Sequence, residues 1–198
     1  MFEAAARADD YIAVIDIGSN SVRLVVFSGL RRVPDIIFNE KVMCGLGAEI
    51  GVSGKMGKKA MDSAVSTLKR FRALCEQMQV ERIEVLATAA VRDAKNRKAF
   101  INRVRKECGI EIETIDGMEE ARLAAHGVIS AEPHATGIMG DLGGGSLELA
   151  RIEDGEVHET ISLPIGPLRL QSMFGDDRRK IRKHLKGLFE EIPWLSER

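Results

Sequence analysis

The feature that most restricts what this chain can fold into is a short polar turn that occurs twice between apolar runs. Asp16-Ile17-Gly18-Ser19-Asn20-Ser21 follows the β-branched run Tyr11–Ile17 and precedes Val22–Ser28, while Asp141-Leu142-Gly143-Gly144-Gly145-Ser146 follows Gly137–Leu142 and precedes Leu147–Ile152. Strand, Asp-x-Gly turn, strand is therefore written twice, which predicts two related halves. The second copy continues through Asp154-Gly155, a turn signal for a two-residue hairpin, into Val157–Leu163.

The segments between the two copies define an α/β chain. A third strand is expected over Asp35–Met43, and glycines 45, 47, 51, 54 and 57 then suggest a mobile loop. Ala60, Ala64, Leu68, Phe71 and Leu74 recur at helical spacing. A strand over Arg82–Thr88, a helix from about Asn96 to Lys106, a short strand Glu111–Ile115 and a helix from Asp116 to about Ile129 complete the first half. The final helix spans Asp176–Ile192, with Ile181, Leu185, Leu188 and Ile192 on one face, and Pro193 ends it. The expected organisation is a frayed, disordered start at residues 1–10, a first domain at 11–124 and the beginning of a second at 125–198.

Composition removes several partner classes. With 198 residues and a net charge of −1 there is no global basic field for nucleic acid, and seven Phe, one Tyr and one Trp offer few stacking platforms. No apolar run approaches the ~18 residues of a membrane span. Cys44, Cys75 and Cys108 form neither a C-x-x-C nor a cysteine–histidine ligand pattern, so idle thiols and a cytoplasmic setting are expected.

The two turns carry the chemistry. Asp16 with Gly18, Ser19, Asn20 and Ser21 aims several N–H and O–H donors at one point, which suits a phosphate, although an Asx-type hairpin closed by its own side chains has the same composition. Gly143, Gly144 and Gly145 sacrifice stability for close backbone approach and positive φ, and Ser146 follows them. Strand alternation turns Glu148 away from the side of Leu147 and Leu149, and with Asp141 it could ligate a hard cation; a solvent-facing strand Glu is the plain alternative. In the helix beginning at Asp116, Glu119 falls at the third position and completes a D-x-x-E capping box, which separates it from Glu120. Arg92 follows a strand's C-terminal end, the edge where open α/β sheets collect ligands, with an ion pair to Asp93 as the alternative. Arg23 could reach the same place or face solvent, and Arg122 reads as a helix-surface residue.

Taken together, D-x-G-S-N-S at Asp16–Ser21, T-A-A-V-R-D-A-x-N at Thr88–Asn96, G-x-E-E-A-R-L at Gly117–Leu123 and D-x-G-G-G-S-x-E at Asp141–Glu148 resemble, in order and spacing, the exopolyphosphatase / guanosine pentaphosphate phosphohydrolase family. Ser162-Leu163-Pro164-Ile165-Gly166 is also similar to that family. The resemblance implies the actin-like, sugar-kinase and Hsp70-type fold: an RNase H-like domain followed by an incomplete second domain of the same type, with phosphate bound in a cleft between them. It implies hydrolysis of the terminal anhydride of inorganic polyphosphate or of the 5′ γ-phosphate of guanosine pentaphosphate. Mg²⁺ would be held near Asp141, Glu148 and Asp16, with Glu120 as general base and Arg92 as phosphate ligand. A homodimer is implied by the family alone. The acid-free run Arg178–Lys186 holds six Lys/Arg and His184; a solvated helix face is the favoured reading, and guidance of a long polyphosphate chain by charge is the alternative. Rival expectations are an actin-like ATPase or sugar kinase, which would need an adenosine loop that the chain does not reach, and a non-catalytic phosphate-binding fragment. In the family the chain continues beyond Trp194 into a further strand.

Overall fold

Alternation of apolar residues brings the first strands together. β1 (Ile12–Ile17) buries Ala13, Ile15 and Ile17, and β2 (Ser21–Phe27) buries Val22, Leu24 and Val26, so each turns one face inward. The computed structural model describes residues 11–195; the frayed start expected at residues 1–10 lies outside the described residues. β3 (Ile36–Met43), β4 (Arg82–Ala87) and β5 (Glu113–Thr114) complete a sheet of order β3-β2-β1-β4-β5. β1, β2 and β3 pair antiparallel, whereas β4 joins β1 in parallel and β5 joins β4 in parallel. This is the RNase H-like arrangement. α2 (Lys58–Gln77) contributes Ala64, Leu68 and Phe71, and α4 (Arg97–Cys108) contributes Phe100 and Val104, to the core over the sheet.

The chain divides into two units between Asp116 and Gly117. The second opens with α5 (Gly117–Ala131), followed by β6 (Gly137–Leu142), β7 (Leu147–Glu153) and β8 (Glu156–Leu163) in an antiparallel sheet of that order. Asp154 and Gly155 both have positive φ, as the type I′ turn of a two-residue hairpin demands. One sheet face packs Ala150 and Ile152 on Ala125 and Ile129 of α5. The other packs Leu149, Leu163 and Ile165 on α6 (Pro167–Phe174) and α7 (Arg178–Glu190) through Leu170, Leu185 and Leu188. β6-β7-β8 thus repeats β1-β2-β3, and no counterpart of β4 and β5 follows among the described residues.

Several local expectations change. The glycine-rich stretch after Met43 is tied down: the Cys44 and Gly45 amides both donate to the Asn20 carbonyl at 2.9 Å, and a helical turn, α1 (Ile50–Ser53), follows. A short helix, α3 (Ala89–Asp93), immediately follows β4 after Thr88, and β5 keeps only two residues of the expected strand.

Candidate phosphate-binding turns and acidic centre

The two turns are closed by the same bond. The Gly18 amide donates to the Ser21 carbonyl at 2.9 Å, and the Gly143 amide donates to the Ser146 carbonyl at 2.9 Å. Each turn is preceded by an exposed aspartate directly opposite a charged residue on the next strand, Asp16 facing Arg23 and Asp141 facing Glu148. After its third strand, each unit returns a glycine onto the turn. The Gly47 amide donates to the Ser19 carbonyl at 2.7 Å, and the Leu168 amide, just past Gly166, donates to the Gly144 carbonyl at 3.0 Å. Carbonyls are thereby engaged behind the turns. Among the described residues no backbone carbonyl accepts from the amides of Ser19, Asn20, Gly144 or Gly145 in these turns, a donor set that suits an anion.

None of Gly143, Gly144 and Gly145 has positive φ, contrary to the expectation from three consecutive glycines. Close approach explains them: a Cβ on Gly166 would stand 2.4 Å from the Gly144 carbonyl carbon and 2.4 Å from the Gly145 nitrogen. Sequence reasoning missed the supporting roles of Gly47 and Gly166, because a contact between segments more than twenty residues apart leaves no local pattern.

In unit 1, the Thr88 amide donates to the Ile17 carbonyl at 3.2 Å and the Ile115 amide to the Ala87 carbonyl at 3.1 Å, gathering the C-terminal ends of β1, β4 and β5. Arg92 stands at this edge, half-buried. Its Nη1 donates to the Ile115 carbonyl at 3.3 Å and its Nε lies 3.4 Å from Asp93 Oδ1. Arg23 is exposed and donates from Nε to Asn39 Oδ1 at 2.9 Å.

Unit 2 carries the acids. Asp141 and Glu148 are cross-strand partners and so share a sheet face. Glu148 is 1% exposed, which removes the solvent-facing alternative. Its Oε1 accepts from the Ser162 hydroxyl at 2.7 Å, leaving Oε2 for another ligand. Ser162 is its partner on β8 and is a further residue that sequence reasoning missed. Asp141 has no hydrogen-bond or ion-pair partner among the described residues. α5 runs parallel to β7, since it leads into the antiparallel β6 and lays Ala125 on Ala150. Its first turn therefore lies at the same end as the glycine turn, and Glu120 sits there, half-buried. Glu119 is engaged along the helix by Arg122, whose Nη1 lies 3.5 Å from its Oε2. Arg122 is exposed, as a helix-surface residue.

No group of three or more metal-binding side chains occurs among the described residues. A pair of carboxylates is nevertheless the donor set for a small, hard cation that keeps several waters and shares substrate phosphates. The cysteines take no part. All three are buried and free, and burial pushes the Cys75 and Cys108 thiols up, away from the reactive thiolate.

Residues 24–194 match the Ppx/GppA phosphatase family. The chain belongs to that family. It is 35% identical over 162 residues to exopolyphosphatase 1 of Mycobacterium tuberculosis, a match covering 80% of this chain and 47% of the relative. The structure of an exopolyphosphatase from Cytophaga hutchinsonii superposes with a TM-score of 0.84 at 33% identity, over 93% of this chain and 62% of that one. The Ppx/GppA family member of Aquifex aeolicus gives 0.77 at 30% identity, over 95% and 63%. The chain thus spans about half the length of the curated relatives it matches, and its fold is that of the family's solved structures.

Removing the Ser162 hydroxyl tests the acidic centre. Ser162→Ala leaves a buried carboxylate short of a donor and is expected to lower stability by about 1–3 kcal/mol in denaturant unfolding, with Ser162→Thr recovering most of it. An unchanged unfolding midpoint would show that the bond is not made.

Proposed function

We propose that the chain carries the catalytic centre of an exopolyphosphatase, which hydrolyses the terminal phosphoanhydride of inorganic polyphosphate and releases orthophosphate. The observation that carries this reading is the gathering of Glu120, Asp141, Glu148 and the Gly143–Ser146 turn at one end of unit 2. Anhydride hydrolysis needs a positioned water, a grip on the phosphoryl group and neutralisation of its charge. The amides of Gly144 and Gly145 grip the terminal phosphate. Glu120 orients the attacking water and takes its proton. Asp141 and Glu148 are the residues that would hold Mg²⁺, and Ser162 fixes the orientation of Glu148. When bound, the cation supplies charge neutralisation on the anhydride oxygens. In unit 1, the Gly18–Ser21 turn and Arg92 offer a second set of phosphate donors, and the planar guanidinium matches a phosphate bidentately.

The test is orthophosphate release from long-chain polyphosphate. Release that requires Mg²⁺ and stops on chelation is expected; binding without release would reduce the chain to a phosphate-binding module. Guanosine pentaphosphate added to the same assay decides between the two substrates the family name covers. Weak inhibition is expected, and its own faster hydrolysis would move the assignment to the nucleotide.

A further inference from the structure

The seven basic residues between Arg178 and Lys186 are not absorbed by this chemistry, and α7 separates them by face. Leu185 and Leu188 pack into the core of unit 2, and the His184 ring lies 5.1 Å from the Phe174 ring. Arg179, Arg182, Lys183 and Lys186 fall at i, i+3, i+4 and i+7, which is one stripe of a helix, and all four are exposed. Lys180 is engaged by Asp177 at 3.4 Å, and Lys186 lies 3.7 Å from Glu190. Arg178, Arg179, Arg182 and Lys183 have no acidic partner among the described residues. Six cations on one helix of a chain with net charge −1 are a pronounced local field.

The helix that carries the stripe also borders the glycine turn. A cleft of about 610 Å³ is lined by Leu142 and Leu147, which bracket the glycine turn, and by Asp176, Arg178 and Ile181 at the start of α7. Leu185 and Phe189 line the same cleft, so α7 borders the turn's cleft along its length. Asp177 closes its first turn by accepting from the Arg179 and Lys180 amides, so the stripe is mounted on a capped, rigid element.

We propose that the outward face of α7 binds the body of a long inorganic polyphosphate whose terminal phosphate occupies the glycine turn. This rests on the polyphosphate reading above and adds to it a preference for long chains over short ones. The stripe carries no aromatic ring, so it holds a bare polyanion and offers nothing on which a nucleic-acid base could stack.

The experiment measures binding of long-chain polyphosphate and of tripolyphosphate to the whole chain, as wild type, as R179E/R182E/K183E and as the milder R179Q/R182Q/K183Q. Circular dichroism confirms that each variant is folded. The expected result is about tenfold or more loss of long-chain affinity in the reversal variant and a smaller loss in the neutral one. Tripolyphosphate binding should be unchanged, and the slope of log affinity against log salt should fall by about two, at ~0.7 per cation removed for a single-stranded polyanion. Unchanged long-chain affinity, or equal weakening of both ligands, would overturn the proposal. Tight binding of single-stranded DNA with the same loss in the variants would also overturn it, by making α7 a general polyanion surface. If wild type binds long chains through α7 but not tripolyphosphate, the stripe stands and the glycine-turn reading fails. Binding of neither ligand overturns both.

Discussion

Glu120→Gln is expected to lower phosphate release by about 10²- to 10⁴-fold, the range in which a positioned general base contributes, while polyphosphate affinity stays at the wild-type level. The substitution keeps the side chain's length and hydrogen-bonding capacity and removes only the ability to accept a proton as a carboxylate. In the first turn of α5 the substitution also gives up the favourable interaction of a carboxylate with the helix dipole, about 0.3–1 kcal/mol, and an unfolding curve measures the stability cost separately from release. Glu119→Gln is the control. Its carboxylate is turned along the helix to Arg122, so it should leave release within a few-fold of wild type. Wild-type turnover in Glu120→Gln, or an equal collapse in both variants, would remove Glu120 from the role of base.

The distinction between those adjacent glutamates was accessible from sequence because helix geometry assigns each a direction. Depth was not. Alternation placed Glu148 on the face opposite Leu147 and Leu149, but burial to 1% depends on α5 covering that face, and the pattern of β7 does not contain it. The partner of Glu148 was hidden for a different reason. An unbroken two-residue hairpin at Asp154-Gly155 would set Glu148 against Ile161; an irregularity between Ala150 and Ile152 shifts the register by one and substitutes Ser162. The strands of unit 1 were legible because β1 and β2 alternate cleanly and bury one face each. α3 was not legible, since five residues carry too little periodicity to register, and its existence depends on the chain's sharp exit from β4 at Thr88. The duplication of the Asp-x-Gly turn was legible, whereas its physical basis was not. Both copies need a glycine from a distant return segment pressed against them, Gly47 in one and Gly166 in the other.

That requirement yields the second large effect. Gly166 has φ −60 and ψ 152, a conformation alanine adopts without strain, so the consequence of Gly166→Ala is purely steric. The new methyl would meet the Gly144 carbonyl carbon and the Gly145 nitrogen at 2.4 Å, and both are backbone atoms that cannot rotate aside. Either the Gly143–Ser146 turn or the start of α6 must move. The expected stability loss is about 1–3 kcal/mol, the usual range for overpacking. Tripolyphosphate binding should weaken at least tenfold, because the displaced atoms belong to the peptide that carries the proposed phosphate donors. Two substitutions calibrate the effect. At Gly47 the methyl would lie 2.9 Å from Ser19 Cβ and 3.2 Å from its carbonyl oxygen, a less severe approach than at Gly166, and an intermediate loss is expected. At Gly140 it would lie 3.3 Å from the end of Leu149, which can shift, so Gly140→Ala should bind phosphate as wild type does. The order Gly166, Gly47, Gly140 in declining severity follows only if backbone approach sets the geometry of the turns. Wild-type affinity in Gly166→Ala would mean that the turn yields freely, and a turn that yields freely could not hold its amides preorganised for an anion.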